Sequence, residues 1–202
     1  MHTPDFYTQV PPIQLYDPLS HFLGAFKNGE LEITYLDCVK LAGHSCPTVA
    51  GAYLMAAMGL NSLYGDAMPE RGSIKIEMRE SKNAGVTGVT GNILSFISGA
   101  NDSSGFKGIQ GNFSRNDLVS YDAPIDEEVR LTRLDTMQSV MLSYDPSPVK
   151  ADEKMMPMMG KNLKGLASPE EQKMFHTLWQ ARVEKILLDR ALHTQLVSIT
   201  KD

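Results

Sequence analysis

Cysteine is scarce in this chain: 202 residues carry only Cys38 and Cys46. Two thiols make no disulfide framework, and their spacing of eight fits no standard zinc-finger pattern. Reduced thiols, and with them a cytoplasmic location, are the expectation. No apolar run approaches the length of a membrane span, so no membrane partner is expected. The polar start, Met1-His2-Thr3-Pro4-Asp5, lacks the basic-then-apolar pattern of a secretory leader. Positive charge is not in excess either. The formal net charge is −5, which argues against nucleic acid as a main partner. The glycine-rich stretch 99–111 is followed by no helix at the spacing of a nucleotide-binding loop, so that fingerprint is rejected. What is present is ordinary: 42% apolar and 21% charged residues, enough for one core or one domain with an appendage.

The patterning predicts three stretches. Residues 1–17, with Pro4, Pro11 and Pro12 and no periodicity, read as an extended N-terminal arm. Residues 18–148 read as an α+β core, with helices over 17–26, 35–41, 47–63 and 84–98 and strands over 30–34, 73–80, 117–121, 128–134 and 140–144. Ile74, Ile76 and Met78 alternate with charged residues, the mark of a half-buried strand, whereas 128–134 leaves its register open. Ala50, Gly51, Ala52, Ala56 and Gly59 make the third helix thin enough for the interior. Residues 149–202 read as a helical extension packed on the core or on a second subunit. Its methionines 155, 156, 158 and 159 suit adaptable apolar contact. Ser168-Pro169-Glu170-Glu171 is a capping box that opens a helix to about His193. Helices early and strands late indicate α+β: an antiparallel sheet packed by helices, with a long C-terminal helix.

The chemistry gathers at Gly43-His44-Ser45-Cys46-Pro47. Pro47 is suited to the first position of a helix, which puts Cys46 at the N-cap, beside free backbone N–H groups and the positive end of the dipole. A thiol so placed ionises readily and serves as nucleophile or metal ligand. The plain alternative is a buried structural Cys beside a satisfied His. His176 and His193, on the C-terminal helix, read as surface or interface residues.

The segment Ala42 to Gly51 resembles the FmdE-like family, named for a component of formylmethanofuran dehydrogenase, whose His-Gly-His-x-Cys-Pro-Gly turn opens a helix. His44, Cys46, Pro47 and Gly51 match; Ala42 stands for the first His and Thr48 for the glycine after Pro. A second block is similar, Asn92-Ile93-Leu94-Ser95 to Ser98-Gly99 and then Phe106-Lys107-Gly108. There Val89, Asn92 and Ala100 stand where typical members carry cysteines and an aspartate. No CxxC occurs, so the family's C-terminal zinc finger is absent. The resemblance spans roughly residues 18–145. It implies an α+β core similar to the catalytic domain of glyceraldehyde-3-phosphate dehydrogenase, usually dimeric, with a metal, most often zinc, near the His/Cys turn. It does not imply formylmethanofuran chemistry.

Three functional readings follow. The first is a metal site on His44 and Cys46, for zinc or another divalent transition metal, with His21 as candidate third ligand, Cys38 next and Asp37 or Asp135 as weaker options; zinc with three protein ligands and water supports hydrolytic or Lewis-acid chemistry. The second is thiol catalysis by Cys46 with His44, on a small anionic substrate held by Lys107 and Arg115, or by Arg79 or Arg133. The third is a non-catalytic accessory or metal-handling subunit, a homodimer with the methionine-rich segment and the C-terminal helix as partner surface.

Overall fold

The structure is a computed structural model and describes residues 3–201; the first two residues of the arm and the last of the extension lie outside the described residues. Its centre is a five-stranded sheet ordered β4-β3-β5-β6-β7, built from β3 (Ile74–Met78), β4 (Val119–Ser120), β5 (Val129–Arg133), β6 (Ser139–Tyr144) and β7 (Val197–Lys201). All neighbours run antiparallel except β4, which lies parallel to β3. A separate antiparallel pair joins β1 (Ile13–Tyr16) to β2 (Glu30–Ile33). The expected α+β arrangement is therefore the observed one.

Helix α3 (Pro47–Tyr64) is the core element. Residues 49–56, with Gly59, Leu60, Leu63 and Tyr64, are buried along it. It lies against β6 and β7, α4 (Thr87–Ser98) and α6 (Pro169–Leu188). Gly51 permits this packing: a Cβ there would come within 2.5 Å of three atoms of the Tyr144 ring. The ambiguous register of β5 resolves with Val129 and Leu131 inward against Ile74, Ile76 and Met78, all buried.

Two boundaries differ from the sequence reading. Within the expected arm, Asp5–Gln9 forms a 3-10 turn and Phe6, Tyr7 and Val10 enter the core, while Ile13–Tyr16 pairs with β2. Aromatic and β-branched residues outweigh the prolines there, because each buries large apolar area. At the other end the long helix stops at Leu188. A 3-10 turn, the short α7 (His193–Leu196) and β7 follow, and β7 pairs with β6 through Ser143↔Ser198 and Leu142↔Ile199. The C-terminal segment thus completes the central sheet. Helix α5 (Met155–Leu163) packs on α6 with Met155 buried.

Candidate functional site

The His44 turn links two helices with well-defined ends. Helix α2 (Tyr35–Ala42) opens on a capping box, with Thr34 and Asp37 bonded reciprocally, and closes at Gly43, whose φ of 76° favours glycine. Cys46 is the N-cap of α3: its Sγ accepts from the Val49 N–H at 3.5 Å, and Pro47 takes the first helical position. Between them Ser45 is clamped through its carbonyl and its hydroxyl. The carbonyl accepts from Trp179 Nε1 at 2.9 Å and Gln180 Nε2 at 3.5 Å. The hydroxyl donates to Gln180 Oε1 at 3.1 Å and accepts from the buried Tyr35 hydroxyl at 2.9 Å. Helix α6 therefore fixes the turn that presents His44.

His44 is exposed, and its Nδ1 lies 3.0 Å from the Ala42 carbonyl oxygen. A carbonyl only accepts, so the proton of the neutral ring sits on Nδ1 and Nε2 is left as the basic, ligating nitrogen. The ring forms part of the wall of a cleft of about 710 Å³, bounded by α1 (Pro18–Leu23), α2, α4 and the glycine-rich loop.

The charged floor of this cleft is built around Asp17. Its carboxylate caps α1 through the Ser20 N–H at 3.0 Å, and takes Arg115 Nη2 at 2.6 Å and Arg71 Nη1 at 2.9 Å. Asp17 and Arg115 are 5% and 7% exposed. Burial pushes the Asp17 carboxyl up, but the Ser20 bond and the two guanidinium groups outweigh it and hold the carboxyl below its ordinary value. Arg71 also donates to the carbonyls of Ile97 at 3.0 Å and Phe96 at 2.8 Å. Among the described residues the Arg115 side chain donates to Asp17 alone. Its guanidinium lies between Gly72 and Gly99, with φ of 83° and 73°; a Cβ at Gly72 would come within 2.6 Å of Nε. Elsewhere in the wall Lys82 pairs with Asp102 at 3.0 Å and lies over the Tyr121 ring at 5.6 Å. The Asp102 carboxyl is lowered to about 2, chiefly by the Ser104 hydroxyl and N–H and then by Lys82.

Of the expected site residues, His44 and Arg115 both line the cleft; Cys46, His21 and Lys107 do not. Cys46 is half-buried, its sulfur engaged as the helix cap. Leu19 lines the cleft, and His21 follows it by two residues, roughly 200° around the helix, packed over Gly29 and beside Tyr16. Lys107 is exposed on the loop. The weaker candidates also have other tasks. Cys38 is fully buried, its thiol pushed up to about 12 by burial. Asp37 belongs to the capping box, and Asp135 forms a two-pronged ion pair with Arg133 in the β5–β6 turn. Arg79 reaches Glu80 and the Asp126 carbonyl. No group of three His, Cys, Asp or Glu side chains able to hold a metal ion occurs among the described residues. One imidazole and a helix-capping thiol do not fit zinc held by three protein ligands.

Sequence reasoning missed Asp17, Arg71, Lys82 and Tyr121 as cleft residues, and Trp179 and Gln180 as supports. Asp17-Pro18 is legible as a helix start; nothing local signals that the same carboxylate gathers arginines from positions 71 and 115.

The family model described as FmdE, Molybdenum formylmethanofuran dehydrogenase operon, matches residues 41–191, about three quarters of the chain. The match begins later than the expected span and takes in α5 and α6, in keeping with the contact of α6 with the His44 turn. No curated protein matches the chain.

Proposed function

The chain belongs to the FmdE family, and we propose that it binds a small organic anion in the cleft, with His44 transferring a proton to or from the bound molecule. The observation that carries this reading is the shared wall: a histidine with a free basic nitrogen and a buried arginine line one cavity. The cavity lies in the size range of small-molecule sites. Its lining holds three cations, Arg71, Lys82 and Arg115, against two carboxylates, Asp17 and Asp102, a balance that favours an anion. An imidazole whose Nδ1 is held by a backbone carbonyl presents Nε2 for proton transfer with a bound molecule.

The thiol supports the site from outside the cleft. Its sulfur caps α3, and its replacement by serine keeps an N-cap of the preferred kind. A screen of small organic acids for binding and turnover, run on wild type, His44→Ala and Cys46→Ser, separates the readings. Turnover lost in His44→Ala and retained in Cys46→Ser is the expected result. Loss in Cys46→Ser alone makes the thiol the reacting group. Stoichiometric zinc that disappears in both variants replaces this reading with a two-residue metal site.

A further inference from the structure

We infer that the cleft recognises an amphipathic monocarboxylate, an organic acid with one carboxylate and a sizeable apolar body. The inference rests on the proposed binding role of the cleft and names the class of its ligand.

Size comes first. A cavity of about 710 Å³ is many times larger than a bare small anion requires, so most of its wall must meet something other than charge. Part of that wall, somewhat less than half, is apolar: Leu19, Val89, Ile93 and Phe96 line it, and Leu41 and Phe106 are 49% and 46% exposed. Half-exposed Leu and Phe along a cavity are covered at a gain when an apolar ligand enters.

Of the three cations in the lining, Arg71 is engaged by Asp17 and two carbonyls and Lys82 by Asp102, which leaves Arg115 as the one with most donors open. Arg115 is buried, lines the cleft and donates only to Asp17 among the described residues, so most of its N–H donors lack an acceptor. A buried guanidinium with open donors is a carboxylate receptor, because its planar donor geometry matches two coplanar oxygens. Asp17, bound to the same guanidinium, sets the limit. It neutralises part of the floor and repels a second negative charge, so a monoanion is accommodated where a phosphate dianion is opposed. The asparagine and serine side chains Asn92, Ser95, Asn101 and Ser104 add neutral polar contacts.

The test is a calorimetric titration of the full chain with acetate, butanoate, hexanoate, hexanamide and inorganic phosphate. Affinity should rise about threefold to fourfold per added methylene as each is buried, from acetate to hexanoate. Hexanamide, which has the same body and no charge, should bind at least tenfold more weakly than hexanoate. Phosphate should bind more weakly than hexanoate. Phe106→Ala, a change on an exposed loop that leaves the core intact, should reduce the gain per methylene. A flat series, or hexanamide equal to hexanoate, overturns the inference. If no carboxylate binds while another class of compound binds in a His44-dependent way, the inference falls and the role of the cleft stands. If hexanoate binds with the expected series while His44→Ala alters neither binding nor turnover, the ligand class stands and the role given to His44 falls.

Discussion

Asp17→Asn is a sharp perturbation, because the two carboxylate oxygens have different partners. Oδ1 accepts from the Ser20 N–H and from Arg115 Nη2, while Oδ2 accepts from Arg71 Nη1 at 2.9 Å. An asparagine that keeps its oxygen at the Oδ1 position preserves the cap and the Arg115 contact. Its NH2 then faces the Arg71 guanidinium, donor against donor, and two largely buried cations lose the carboxylate they share. Removing one member of a buried ion pair costs about 3–5 kcal/mol. Arg71 keeps the carbonyls of Ile97 and Phe96, so the lower end, about 3 kcal/mol, applies. For a chain of this length that is a fall in melting temperature of roughly 6–12 °C. Asp17→Ala should lose about 1 kcal/mol more, the value of the N-cap. Urea unfolding at neutral pH, checked for an unchanged slope, measures both. An Asp17→Asn protein within about 1 kcal/mol of wild type would refute the assignment of the floor as a coupled charge cluster.

The same carboxylate sets an acid limb. Its folded value lies below the unfolded one, so its contribution is complete above about pH 4 and is lost as pH falls through the folded value; the gap between wild type and Asp17→Asn should be constant from about pH 5 to 8 and narrow below about 4. Gly51→Ala should destabilise by about 1–3 kcal/mol or more, since the new Cβ has to displace the Tyr144 ring; thermal unfolding reads this directly. Iodoacetamide should label Cys46 alone in the folded protein, with Cys38 modified only on unfolding, because Cys38 is fully buried and its thiol is raised to about 12; peptide mapping decides it. Trp179→Phe keeps an aromatic ring but removes the 2.9 Å bond to the Ser45 carbonyl, and should cost about 1–2 kcal/mol in urea unfolding.

Elements with strong local signals are legible from the chain alone. Pro47 after Cys46, the Ser168/Glu171 capping box and the Ile74-Ile76-Met78 alternation each mark an element close to its observed place. The failures share a physical cause: the residues act through partners far along the chain. Val197–Lys201 is a short run after a helix, and becomes a strand because β6 offers an edge to pair with. Phe6 and Tyr7 look like arm residues until the core that buries them is present. The site shows the same division. His44 and Cys46 stand out as a motif, but adjacency does not reveal that one side chain lines the cleft while the other caps a helix. His21 is near in sequence, yet helix geometry turns it away from the cleft face of α1. Arg115 is visible as a charge; the Asp17 that holds it lies 98 residues earlier.

If His44 faces the ligand, its imidazole must sense binding. The His44 ring resonance can be identified among the five histidines by its loss in His44→Ala, then followed as hexanoate is titrated. A saturable displacement of that signal, with a midpoint equal to the calorimetric one, is the expected result. A His44 signal that stays still while hexanoate saturates the protein would contradict the placement of the imidazole against the bound acid.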